Sequence, residues 1–186
     1  MRKHGTFHMV YLALLISFAV ALHMLEAALP LPVPVPGARL GLANIITIVA
    51  LVLYGWRSAL TVAALRSVLG SLLIGTFPGF GFYLSLSGAL TSTLAMALIY
   101  PLYRREKITL VSVSMAGAVI FNIVQLGLAA LLVQNFMLFR GYLPLLLLLA
   151  VPTGIFTGLA ARQLLAAVAH IDLRLGATVK GENTPG

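Results

Sequence analysis

Apolar residues gather into six long runs, separated by short polar or proline- and glycine-rich links. The runs cover roughly 8–29, 39–54, 58–76, 81–103, 108–135 and 142–169. A helix needs about 20 apolar residues to cross the hydrocarbon core of a bilayer, so each run predicts a transmembrane helix. The second is short and is expected to sit in a thin or dipping region. Because the links are short, consecutive helices should be antiparallel neighbours. The expected architecture is an all-α integral membrane bundle of six helices over residues 1–171. A flexible cytoplasmic tail, 172–186, follows it.

One link stands apart. Between the first two runs the chain reads LEAALPLPVPVPGARLGLANIITI, with Pro30, Pro32, Pro34 and Pro36 at alternate positions. Proline lacks an amide hydrogen and fixes φ, so this segment reads as an extended, polyproline-like connection. Gly37 then allows a turn, and Arg39 is expected to open the second helix.

Composition agrees with the pattern. Of 186 residues, 61% are hydrophobic and 9% charged, with a mean hydropathy of +1.07, too little polar surface for a soluble domain. A net charge of +8 could suggest nucleic acid. The basic residues fall between apolar runs, however, which is how orientation is encoded. Arg2 and Lys3 precede the first run, and Arg57 follows the second. Arg104, Arg105 and Lys107 follow the fourth, and Arg174 and Lys180 the sixth. The other links carry only Arg39 and Arg140. The positive-inside rule therefore places both termini in the cytoplasm and the proline link on the outer face. The basic start resembles a signal peptide, but its apolar region is too long and further spans follow, so it reads as a retained first helix.

Small residues recur every four positions on three helices. Ala13, Ser17 and Ala21 do so on the first, Gly81, Ser85, Ala89 and Thr93 on the fourth, and Gly154 with Gly158 on the sixth. Such ladders let helices approach closely in lipid. Each suits packing within the bundle, or a dock for another membrane subunit; the first helix is the best candidate for a dock. Pro152 is expected to kink the sixth helix.

Polar groups inside a span are costly and usually face the bundle interior or a cavity. His23 and Glu26 are three apart and share a helix face in the outer part of the first span. Arg39 enters from the same side, with Asn44 five residues deeper. Arg66 lies about eight residues into the third span, roughly 12 Å from the inner face, which calls for an anionic or carbonyl partner. Asn122 and Gln125 present two amides on the fifth helix. Arg162 is near enough to the cytoplasmic end to snorkel, and a structural role suits it. Two readings fit the set. The groups could hold the bundle together, with Glu26 pairing with Arg39 and Arg66 bonding to Asn122 or backbone carbonyls. Alternatively they line an outward cavity, net positive because two arginines face one glutamate, for a small anionic or amphipathic ligand.

Catalysis finds little support. The acids are Glu26, Glu106, Asp172 and Glu182, and the last three fall in cytoplasmic segments. Mg²⁺-diphosphate chemistry draws on clustered carboxylates, and no phosphate-binding loop, HExxH motif or cysteine is present. No catalytic residue, metal site or cofactor is expected.

The runs GARLGLANIITIVALVLYGWRSAL and LRSVLGSLLIGTF resemble the Gx transporter family, whose members also carry the label component I of heptaprenyl diphosphate synthase. The resemblance spans about Leu12 to Leu165, and its specific part is Gly37–Asn44 with Arg66, Gly70 and Ser71. Six short helices with a small-residue ladder on the first are also similar to the S-components of energy-coupling factor vitamin transporters. That likeness implies that Ala13, Ser17 and Ala21 dock a membrane coupling subunit working with ABC-type ATPases. It also implies that the ligand is held on the outer side beneath the first link as a lid. The family labels leave two functions open. One is a prokaryotic plasma-membrane protein that binds or takes up a substrate. The other is a non-catalytic membrane subunit partnering a soluble prenyl diphosphate synthase in menaquinone side-chain synthesis.

Overall fold

Hydropathy alone demands helices, because a backbone in lipid must satisfy its own hydrogen bonds. A computed structural model describes residues 3–28 and 41–181, with side chains over 9–28 and 41–169. These residues form six helices and no strand: α1 (Lys3–Ala28), α2 (Ala43–Tyr54), α3 (Trp56–Ile74), α4 (Phe80–Arg104), α5 (Leu110–Leu132) and α6 (Phe136–Gly181). All but α2 are long and apolar enough to cross a membrane. The protein is thus an all-α, multi-pass membrane bundle.

The ends of α2 and α6 differ from expectation. The second helix begins at Ala43 rather than at residue 39. Gly41 has φ of 76°, outside the helical region and suited to glycine, so helical angles cannot run back through it. Arg39 and the four prolines lie outside the described residues. At 12 residues α2 spans about 18 Å, well short of the hydrocarbon thickness. The sixth helix begins at Phe136 and continues past residue 169, running through both Pro144 and Pro152.

Helix α5 packs between α4 and α6, α3 packs on α4, α1 and α2, and α2 also touches α6. Three of the four small residues of the α4 ladder turn inward, Ser85, Ala89 and Thr93 all being buried, whereas Gly81 is half-buried with open space where a Cβ would stand. Gly154 and Gly158 bring α6 against the α5 backbone: a Cβ at each would lie 2.7 Å from Met115 Cα and 2.8 Å from Val111 Cα. On the same seam the Ser114 and Thr157 hydroxyls bond at 2.7 Å. In the absence of a hydrophobic drive between helices in lipid, close backbone approach and such hydroxyl bonds hold the pair. Buried hydroxyls elsewhere bond back to the preceding turn, as Ser71 does to the Ser67 carbonyl at 2.7 Å and Thr93 to that of Ala89 at 2.7 Å. Large side chains such as Leu98, Phe136 and Leu148 point outward, where lipid would cover them.

Candidate functional site

The polar residues of α1, α2 and α3 meet at one place. His23 and Glu26 come from the last two turns of α1, Gly41 and Asn44 from the entry to α2, Arg66 from mid-α3 and Ser85 from α4. With Phe121 of α5 they line a cavity of about 10 Å³. His23 is 2% exposed and Arg66 4%, so neither reaches solvent. A buried charge is tolerable only when it is hydrogen-bonded or paired. The Arg66 Nη2 accordingly donates to Asn44 Oδ1 at 2.7 Å, an acceptor 22 positions earlier on a different helix. Bonding to Asn122, one expected alternative for Arg66, gives way to this bond because Asn44 projects from the first turn of α2 straight into the nest.

Local sequence explains the placement. Gly70 lies one turn beyond Arg66, and a Cβ there would sit 2.4 Å from His23 Cδ2. The imidazole therefore occupies the space a side chain at 70 would need, and α1 meets α3 at that notch. On the other flank, the Gly41 amide donates to Glu26 Oε1. The Gly41 carbonyl in turn accepts from the Asn44 amide at 2.8 Å. Glu26 thus holds the chain just before α2, and the two residues in this bond bracket link 29–40. Glu26 pairing with Arg39 lies outside the described residues, as does Arg39 itself.

A second cavity of about 10 Å³ adjoins the first, sharing Gly41, Asn44 and Phe121 and adding Ala118, Asn122, Thr153 and Thr157. Asn122 donates to the Ala118 carbonyl at 3.0 Å. Gln125 is buried on α5 one turn further on and lines neither cavity. Four of the seven expected site residues, His23, Glu26, Asn44 and Arg66, therefore share one cavity, and Asn122 lines its neighbour. Each space is about the size that holds a single water. Among the described lining residues Glu26 and Arg66 balance in charge, so the expected net positive character rests on Arg39. No group of three His, Asp or Glu side chains converges among the described residues, which leaves His23 and Glu26 short of a structural metal set.

Sequence reasoning overlooked the Gly41 amide, Ser85, Phe121 and Thr157. Ser85 had a signal, membership of the α4 ladder, but one that reads as packing. A backbone amide and a phenylalanine carry no signal of this kind. On α1, Ala13, Ser17 and Ala21 are exposed and face away from the bundle, with the Ser17 hydroxyl bonded to the Ala13 carbonyl at 2.9 Å.

Comparison with known proteins gives one match: the family model described as heptaprenyl diphosphate synthase component I covers residues 15–164. No curated protein and no solved structure matches the chain, so its likeness to S-components stands on the resemblance alone. The matched span runs from α1 into α6 and includes every residue of both cavities, along with Arg39. The chain therefore belongs to the heptaprenyl diphosphate synthase component I family.

Proposed function

We propose that this protein is a non-catalytic substrate-binding or uptake component of a prokaryotic plasma membrane. Its ligand, small and anionic or amphipathic, engages the nest of His23, Glu26, Asn44 and Arg66. The observation that carries this reading is the convergence of these four buried polar side chains from three helices, directly beside the link that Glu26 and Gly41 bracket. Bundle cohesion alone would be served by the Ser and Thr bonds seen elsewhere, which avoid the cost of burying an arginine and a glutamate in lipid. Because the cavities are water-sized, ligand entry requires the Arg66–Asn44 bond to open toward the ligand. Arg39 and Arg66 then supply charge-assisted hydrogen bonds to an anion. Asn122 extends the polar lining on α5, and Gln125 lies buried one turn further along that helix.

Arg39→Ala and Arg66→Ala should each reduce, about tenfold or more, the amount of small molecule that co-purifies in mild detergent, as read by native mass spectrometry. Both proteins should still insert and purify. Normal retention in both variants would remove the nest as the binding site.

The family's description favours a second reading: an accessory membrane subunit that assembles with a soluble prenyl diphosphate synthase subunit. Affinity purification from native membranes, with mass spectrometry of what accompanies the protein, separates the two. An ABC-type ATPase pair with a membrane coupling subunit supports uptake of the S-component kind. A soluble partner rich in DDxxD motifs supports the synthase assembly and overturns uptake. In the uptake reading the exposed α1 ladder docks the coupling subunit, so Ala13→Leu with Ala21→Leu should abolish that complex and leave ligand retention unchanged. An intact complex would exclude α1 as the dock.

A further inference from the structure

A second basic region lies at the opposite end of the bundle. The end of α4, the α4–α5 link, the start of α5 and α6 enclose a depression of about 560 Å³, lined by Tyr103, Arg104, Glu106, Thr109, Val111 and Arg162 among others. The charge distribution assigns this end to the cytoplasm. Three features of the depression point the same way. Arg104 and Arg162 come from different helices yet share its wall, and both are exposed. No ion pair among the described residues joins either arginine to Glu106, the one acid of the wall. The first turn of α5 also faces this wall: Thr109 caps the Ser112 amide through Oγ1 at 3.2 Å. The amides of Leu110 and Val111, by contrast, have no carbonyl one turn earlier to accept them. Below the charged rim the surface becomes apolar. Leu159 and Ile155, three and seven residues before Arg162, share its face of α6 and are exposed.

We propose that this depression binds the phosphate headgroup of an anionic phospholipid of the inner leaflet. Arg104 and Arg162 clamp the phosphate, the α5 start contributes its partial positive charge, and an acyl chain lies along Ile155 and Leu159. Charged rim above apolar wall, at the depth of lipid headgroups, is the pattern of a basic pocket that holds such lipids. Glu106 limits the site to a singly anionic or well-screened headgroup by adding one opposing charge. The site is independent of the nest and of the uptake reading.

The test is native mass spectrometry of the full-length protein extracted from vesicles of phosphatidylcholine with phosphatidylglycerol. Retained phosphatidylglycerol is compared with retained phosphatidylcholine, and thermal stability is read in parallel. Wild type should retain phosphatidylglycerol preferentially. Arg104→Ala with Arg162→Ala should lower that retention about thirtyfold, as expected for two interfacial arginines. Arg57→Ala should leave it unchanged, since Arg57 sits at the α2–α3 junction over Trp56. Equal retention of both lipids, or equal loss from the Arg57 variant, would reduce the effect to general surface charge and overturn the site. So would thermal stabilisation by inorganic phosphate matching that by phosphatidylglycerol. If the double variant proves unstable, Leu159→Asn, which keeps both arginines, should still weaken retention; undiminished retention there would remove the acyl-chain contact and with it the proposal.

Discussion

A Gly154→Leu, Gly158→Leu double variant should fail to form the native bundle, losing more than about 4 kcal/mol of stability. Both glycines press α6 on backbone atoms of α5, 2.7 Å from Met115 Cα and 2.8 Å from Val111 Cα to where each Cβ would stand. Backbone cannot rotate away as a flexible side chain can, so the two helices must separate. That separation breaks the Ser114–Thr157 bond on the same seam and exposes the hydroxyls inside lipid. It also opens the second cavity, to which Thr153 and Thr157 contribute. Thermal unfolding in mild detergent, with size-exclusion profiles before and after heating, measures the effect. A contrast comes from Gly117, whose added Cβ would meet the Met96 sulfur at 2.6 Å. Methionine can move aside, so Gly117→Ala should cost much less than either alanine substitution at 154 or 158. A double leucine variant with a wild-type melting profile would show that α5 and α6 do not pack as described.

Gly70→Ala should destabilise the protein by about 1–3 kcal/mol, the usual cost of overpacking, and displace His23 from the nest. The added methyl group would stand 2.4 Å from His23 Cδ2 and 3.0 Å from Nε2, and the ring is enclosed. Helix propensity works in the opposite direction, since alanine is favoured over glycine by about 1 kcal/mol in a helix interior. The clash is therefore best isolated with a double-mutant cycle. Combined with His23→Ala, the Gly70→Ala substitution should become neutral or stabilising, giving a coupling of at least about 1 kcal/mol between the two sites. Additive effects would mean that the imidazole does not occupy the notch. The same pair informs the site: Gly70→Ala should weaken retention of the co-purifying molecule, because expelling the ring disturbs Glu26 one turn away on α1.

The resemblance singled out Gly70 along with Arg66 and Ser71, but only the packing of α1 on α3 gives the glycine a reason. Arg66 is a similar case. Its depth predicted a buried partner from helical rise alone, yet the identity of that partner depended on where α2 begins. Arg39 was expected to start α2; the positive φ of Gly41 moves the start to Ala43. That shift places Asn44 on the first turn, within reach of the guanidinium at 2.7 Å. The α4 ladder and the α6 GxxxG were equally legible as small-residue stripes, and nothing in their spacing said which would face inward. Burial places Ser85, Ala89 and Thr93 of α4 and both α6 glycines within the bundle, while the α1 ladder faces out.

Class, helix number and the membrane setting are determined by the chain itself, because a backbone in hydrocarbon must close its own hydrogen bonds and long apolar runs leave it one way to do so. Orientation is an expectation drawn from the basic residues in alternate links rather than from packing. The nest is different in kind. His23, Glu26, Asn44, Arg66 and Ser85 come from four helices, and no local periodicity relates positions so far apart in the chain. Their meeting is decided by how closely the helices approach, and that depends on the absence of a side chain at Gly70 and on the backbone freedom of Gly41. Tertiary packing thus selects which of the costly polar groups share one enclosure, because only there can each buried charge find the donor or acceptor that lipid does not provide.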